Sequence, residues 1–445
     1  MQYHVNSEKP KETVSPAGPH LPNLEDSGRR EARLGAFGLW FAYVAVLVLL
    51  GYWYWPAPLA FDESMYYLPA IRSFAAALPH VTVDDYRMPN PPAALITQAI
   101  VFQLTRGNIA ATRMVSSAAV AIIAALLLAI PACRDKTRLE SSIAAAYVLL
   151  SPTLLNDAFI LKHHTFSICG LVGGIWCLRY TEAKTRYVLA SLFFSIAVLT
   201  SQVAVPFLGF LLLIESVPFA RRRFRAPHAR IVVAMVPLAL LGLLFAVWGG
   251  AEPPSYRTVL LQSRIGHFNF RQVILCLYVL GLWFLPLRSH LNRRLLLQVV
   301  YVLPVACAAV YWTAVVDPHG NFDDRIVGPI TTLLHVVTGE HYPLLLLLFS
   351  VPVAVGITFL IEEVTGDLWH GPIPYIAVFM AFMILVPYLF ESYYVYLVVP
   401  WLVWDWERFT AGMRAVHFRV FALAICGMGI SYAAIKIYRL IHGIG

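Results

Sequence analysis

The chain has 445 residues, of which 59% are hydrophobic and 13% charged, and a mean hydropathy of +0.68. A water-soluble protein of this length cannot bury so much apolar surface, so lipid is expected to be its main solvent. The formal net charge of +8 comes from basic residues spread among short connections rather than gathered in one stripe, which argues against nucleic acid as a partner.

Residues 1–34 are polar and rich in Pro, Ser, Lys and Glu, and are expected to form a flexible cytoplasmic tail. No short apolar stretch with a small-residue cleavage site opens the chain, so a signal peptide is not expected. Residues 35–445 read as one polytopic membrane domain. Crossing the hydrocarbon core takes about 20 apolar residues in a helix, which satisfies its own backbone groups. The expected spans are 35–55, 111–131, 141–157, 164–180, 187–200, 202–217, 231–249, 271–287, 295–316, 343–361, 372–390, 393–405 and 418–437. The fold class is therefore an all-α membrane protein with about 11–13 transmembrane helices. The count turns on Tyr187 to Ser216, which reads either as one long tilted helix or as two short ones joined at Thr200 to Gln202.

Lys/Arg clusters at Arg29–Arg33, Arg134–Arg138, Lys184–Arg186, Arg221–Arg230 and Arg288–Arg294 assign those connections to the cytoplasm. The other side then receives residues 56–110, 250–270 and 317–342. The first of these segments holds two expected surface helices, Met65–Leu78 and Pro92–Leu104, apolar enough to lie along the membrane. The six cysteines lie in or at the ends of apolar spans, and neither a disulfide framework nor metal-ligand spacing is expected.

Just beyond the first span stands Phe61-Asp62-Glu63-Ser64-Met65-Tyr66-Tyr67. Two adjacent carboxylates at a helix start read plainly as a cap, with Asp62 on the free N–H groups and Glu63 at the positive end of the dipole. A cap also fixes a carboxylate's direction, so that reading is compatible with catalysis. Neighbouring helical residues point about 100° apart, so the pair cannot flank a sugar as glycosidase carboxyls do.

An Asp-Glu pair after the first span, with an aromatic three or four residues on, resembles the first-loop motif of the GT-C glycosyltransferases. Met88-Pro89-Asn90-Pro91-Pro92-Ala93-Ala94-Leu95 is similar to the Pro-Pro segment of protein O-mannosyltransferases, aminoarabinose transferases and the terminal glucosyltransferase of lipid-linked oligosaccharide synthesis. Phe390-Glu391-Ser392-Tyr393-Tyr394-Val395-Tyr396 through Pro400 is similar to their late Glu/aromatic/Pro segment. The likeness covers residues 35–180 well and thins afterwards; Ser64 and Met65 fit no subfamily, and the soluble domain of some members is missing. The resemblance implies an inverting transferase moving a sugar from a polyprenyl- or dolichyl-phosphate donor. Asp62 is then the general base toward the acceptor hydroxyl, Glu63 orients the acceptor or shares a cation, and Tyr66, Glu391 and Tyr394 contact substrate.

A departing lipid phosphate needs positive charge or hydrogen-bond donors. Arg87, Arg257, Arg264, His267, Arg271 and Arg325 lie in the outer segments, and for each the plain alternative is snorkelling to phospholipid headgroups. Arg264 and His267 stand three apart, on one face if helical. Lys162, His163 and His164 read as a solvated turn or as phosphate contacts. Gln202 reads as an interhelical bond or a sugar contact. His319, Asp323 and Asp324 match no metal cage, and no cofactor is expected.

With no soluble domain in view, a lipid-linked acceptor is expected over a folded protein. A bacterial inner membrane is favoured, with the endoplasmic reticulum as the alternative and the site on the non-cytoplasmic face. The rival function is a transporter or flippase of a lipid-linked or amphipathic substrate, which would place ionisable or broken-helix sites within the bilayer.

Overall fold

The computed structural model describes residues 24–60, 62–84, 86–134, 138–182, 185–216, 227–256, 271–287, 293–311, 342–366, 371–386 and 391–442. Every regular element among them is helical. Helix α1 (Leu24–Tyr54) is followed by a π-helical turn (Glu63–Tyr67) that runs into α2 (Leu68–Ala77), then α3 (Ala93–Leu104), α4 (Ile109–Arg134), α5 (Arg138–Leu149) and α6 (Pro152–Asp157). Next come α7 (His164–Tyr180), α8 (Arg186–Val198), α9 (Val205–Ser216), α10 (Pro227–Trp248), α11 (Arg271–Trp283) and α12 (Arg293–Tyr311). The chain closes with α13 (Tyr342–Thr365), α14 (Ile373–Met383), α15 (Glu391–Trp404), α16 (Trp406–Gly412) and α17 (Val416–Ile441).

Six segments among the described residues are long and apolar enough to cross a membrane: Leu34–Tyr54, Ile109–Ile130, Ala229–Trp248, Arg294–Tyr311, Leu346–Thr365 and Val416–Arg439. Phe37, Phe41 and Leu49 on α1, Val300, Tyr301 and Val305 on α12, and Val420 and Leu423 on α17 point outward. Apolar faces of this extent are stable against lipid rather than water, so the chain is a multi-pass helical membrane protein. The other expected crossings, 141–157, 164–180, 187–200, 202–217, 271–287, 372–390 and 393–405, fall on helices whose main bodies are only 11 to 17 residues long. At 1.5 Å per residue these do not cover about 30 Å of hydrocarbon alone. Most of them sit inside the bundle, where neighbouring protein can satisfy the backbone at their ends, whereas α8 keeps Val188, Leu189, Leu192 and Ile196 exposed. Nearly every residue of α7 is buried.

The span expected over 141–157 breaks at Ser151-Pro152. Proline lacks an N–H for continued helix, and the Ser151 hydroxyl caps the new start by accepting from Leu154 N at 3.3 Å. Tyr187–Ser216 resolves into two short helices, α8 and α9, joined by a 3₁₀ turn at Gln202–Ala204. They run in opposite directions: Gln202 bonds to Ala251 beyond the end of α10, whereas Glu215 pairs with Arg230 near its beginning. Both helices pack on α10.

Helices α11 and α13 approach so closely that a Cβ on Gly281 would overlap the Pro352 carbonyl, and one on Gly356 the Leu277 carbonyl. Helix α17 presses on the α5–α6 break, where Gly429 meets the Leu150 carbonyl in the same way. Small residues at these points allow backbone-to-backbone packing between helices.

One end of the bundle gathers basic helix termini. Arg419 at the start of α17 pairs with Glu140 at the start of α5 at 3.3 Å, and Arg230 with Glu215 at 3.2 Å. Arg408 donates to Glu363 and to the Leu287 carbonyl, and Tyr180 donates to Val403 O at 2.7 Å. The loop carrying Asp62 lies at the opposite end, beside the first turn of α4 and the 158–163 turn.

Candidate functional site

At that opposite end, Asp62 and Glu63 take different fates. Within the π turn, Glu63 and Tyr67 face the protein while Ser64, Met65 and Tyr66 are exposed, as is Asp62 just before it. Such turns insert an extra residue into a helix and recur at functional sites.

Glu63 is 1% exposed and forms an ion pair with Arg113, also 1% exposed, at 2.6 Å. Arg113 Nε donates to the same carboxylate at 2.9 Å. The carboxylate also accepts from Ala60 N and Leu161 N, each at 2.8 Å. The remaining guanidinium protons go to the carbonyls of Tyr54, Trp55, Ala57 and Pro58 at 2.7 to 3.2 Å. This clamp joins the end of α1, the first turn of α4 and the 158–163 turn, with all charge and hydrogen-bonding capacity consumed. Glu63 was expected to orient an acceptor or share a cation; its carboxylate instead faces inward and is committed to the scaffold.

Asp62 does not act as the expected cap. Its side chain makes no capping bond and no hydrogen bond or ion pair to the described residues. It lies within electrostatic reach of Tyr67. An exposed carboxylate beside a rigid clamp is held in place through its backbone and left chemically available.

Behind Asp62 stands a buried polar cluster. Tyr67 Oη and His163 Nδ1 share a hydrogen bond of 2.9 Å, the rings of His163 and His164 are 4.1 Å apart, and His164 Nδ1 meets Tyr396 Oη at 3.1 Å. Burial, together with His164 and Lys162, holds the His163 imidazole well below its ordinary pKa, so it is neutral at pH 7. Lys162 pairs with Asp157 at 3.3 Å, Asn156 donates to Asp157 at 3.1 Å, and Lys436 donates to Asn156 at 2.6 Å. Lys162 is 16% exposed and Asp157 and His163 only 2%. The turn is therefore a packed corner rather than the solvated turn that composition suggested, because the Leu161 amide is tied to Glu63.

The Pro-Pro segment closes one side. Ala93 N donates to Leu199 O at 2.9 Å, Gln202 donates to Pro89 O at 3.1 Å and to Ala251 O at 2.6 Å, and Trp248 donates to Val83 O at 2.7 Å. Gln202 is thus a junction between connections. Arg87 lies exposed on the connection between α2 and α3. Tyr66 is exposed on the π turn.

Tyr394 points elsewhere: its hydroxyl donates to Gln272 O and Oε1 at 2.6 and 2.9 Å, fastening α15 to α11. Tyr393 and Tyr396 are the members of that segment whose rings meet His164. Glu391 begins α15. Arg257, Arg264, His267, His319, Asp323, Asp324 and Arg325 lie outside the described residues.

Sequence reading missed Arg113, Asn156, Asp157, Tyr67, Tyr396 and Lys436. Two carried a signal: Arg113 and Lys436 are charges within membrane-spanning helices, a placement that needs a partner. A small recess of about 20 Å³ lies between the α5–α6 break, α11 and α15 and is lined by Val148, Thr153, Tyr278, Trp283 and Val399. Among the described residues no three His, Cys, Asp or Glu side chains converge as metal ligands. Comparison with family models, curated proteins and solved structures finds no match.

Proposed function

We propose that the chain is an inverting glycosyltransferase of GT-C type, moving a sugar from a polyprenyl- or dolichyl-phosphate donor to a lipid-linked acceptor. The observation that carries the reading is the division of labour in the Asp-Glu pair: Glu63 is consumed by Arg113, while Asp62 stands exposed and bonded to none of the described residues at the edge of a cationic, histidine-containing cluster. As general base, Asp62 takes the acceptor hydroxyl's proton as the oxygen attacks the anomeric carbon, and the bond from that carbon to the lipid phosphate breaks. Lys162 and Lys436 offset the charge developing on the phosphate. The basic end of the bundle faces the cytoplasm by the positive-inside rule, which puts Asp62 on the other face, with α2 and α3 lying along the membrane surface. A bacterial inner membrane remains the favoured location.

The test is transfer from a panel of radiolabelled polyprenyl-phosphate sugars to membrane lipid extract, wild type against Asp62→Asn at matched expression. The expected loss is at least 100-fold, within the ~10²–10⁴ range for a general base, with thermal stability unchanged because Asp62 bonds to no described residue. Equal transfer by both proteins would refute the assignment.

The buried histidine pair and the α5–α6 break at Ser151-Pro152 favour one second reading, a transporter with an ionisable site beside a discontinuous helix. Substrate movement across proteoliposomes, with no transfer from any donor, would select it.

A further inference from the structure

Helix α12 stands at the rim of the bundle. Among the described elements its close packing is on α13. Its buried residues, Leu295, Ala306 and Val310, share one face. At about 100° per residue the opposite face carries Leu297, Tyr301, Pro304, Ala308 and Tyr311, all of them exposed. Alternating steps of four and three residues are the spacing of a seam along which two helices pair.

Two polar groups interrupt this face near the middle of the span. Tyr301 is 78% exposed, and its hydroxyl bonds to none of the described residues. It lies about 10 Å from one end of the Arg294–Tyr311 span and about 15 Å from the other, well below the headgroup level where tyrosines gather. Pro304 has no N–H to give the Val300 carbonyl, and Val300 is 62% exposed. The two groups cannot serve each other within one helix, because the side chain leans toward the N-terminus and the carbonyl points toward the C-terminus. By contrast, Pro237 inside α10 and Val233, the residue it leaves without a donor, are both buried, and the exposed residues at the middle of α1, Phe41, Val48 and Leu49, are wholly apolar. Lipid chains supply neither a donor nor an acceptor, so they suit the face of α1 and leave two groups of α12 unsatisfied.

We propose that a second copy of this chain docks on this face, in a parallel two-fold pair of α12 helices in which Tyr301 Oη of each copy donates to the Val300 carbonyl of the other. A two-fold axis along the membrane normal brings identical residues to equal depth. Neighbouring residues differ in depth by about 1.5 Å, so donor and acceptor stand level across the axis and the bond is made twice. The face is therefore its own complement, with one donor and one acceptor at the same height. Pro304 and Ala308 are short enough to let the helices approach. The pairing is independent of sugar transfer, which is read at Asp62 on another part of the chain.

The test uses the full purified chain, carrying one dye per copy, in phosphatidylcholine liposomes over a wide range of protein-to-lipid ratios. Counting photobleaching steps gives the fraction of dimer at each density. The wild type is expected to pass from monomer to dimer as density rises. Tyr301→Phe, which removes a single oxygen and leaves the fold intact, should raise the dissociation constant about tenfold, equivalent to ~1.4 kcal/mol for two bonds of the strength found between membrane helices. Ala308→Trp, a bulky side chain on the same seam, should weaken pairing further. Leu423→Trp, on the exposed face of α17, should leave it within about twofold. A wild type that stays monomeric at every density would overturn the proposal and leave lipid or a different protein as the occupant of the face. Dimers that withstand Tyr301→Phe within about twofold would overturn it as well, and so would an equal loss in Leu423→Trp, which would place the contact elsewhere.

Discussion

Replacing Arg113 with methionine removes both bonds to Glu63 and every bond to the carbonyls of residues 54, 55, 57 and 58, while leaving the Glu63 carboxylate inside the protein. Breaking a buried, fully bonded ion pair on one side costs about 3–5 kcal/mol, chiefly because the remaining charge is stranded. Glu63→Gln strands the guanidinium instead and is expected to cost a similar amount. Their combination should cost less than the sum, since no charge is left behind, with a coupling of about 2–3 kcal/mol. The assay is unfolding in mixed micelles titrated with sodium dodecyl sulfate, followed by tryptophan fluorescence, for the wild type, both single variants and the double variant. Glycosyl transfer on the same samples reports whether Asp62 has lost its setting. A loss below about 1 kcal/mol for Arg113→Met, or strict additivity in the double variant, would refute the view of the pair as a buried clamp.

Three further outcomes follow from packing and charge. Gly281→Ala forces a methyl against the Pro352 carbonyl and should destabilise the α11–α13 contact by about 1–3 kcal/mol in the same titration; a neutral effect would mean the helices are farther apart. Tyr394→Phe removes the hydroxyl that bonds Gln272 and should cost about 1–2 kcal/mol while leaving transfer unchanged, whereas a loss of transfer at full stability would restore Tyr394 as a substrate contact. Burial pushes Asp405 up to about 6, against the pull of Arg408 and Arg179. Its folded pKa lies above the unfolded value near 3.8, so its contribution is complete below about pH 4 and is lost as pH rises through about 6. Stability should fall across that window by on the order of 2–3 kcal/mol in the wild type and stay flatter in Asp405→Asn. The same slope in both proteins would remove Asp405 as its source.

Sequence by itself determined the solvent of the chain. Apolar runs such as Leu34–Tyr54 have no soluble fate. It also determined that Asp62 and Glu63 could not face the same way, because adjacent helical positions diverge. Tertiary structure decided which carboxylate stayed free. That outcome depends on Arg113, 50 residues along the chain, and on the Leu161 amide, 98 residues along, neither of which has a local signature. It also decided that Lys162 and His163 are packed inward, that Tyr396 rather than Tyr394 meets the histidines, and that the final helix delivers Lys436 beside Asn156. Periodicity specifies the face of a single helix, but which faces meet is set by close approach at residues such as Gly281, Gly356 and Gly429. The cluster exists only where those helices converge.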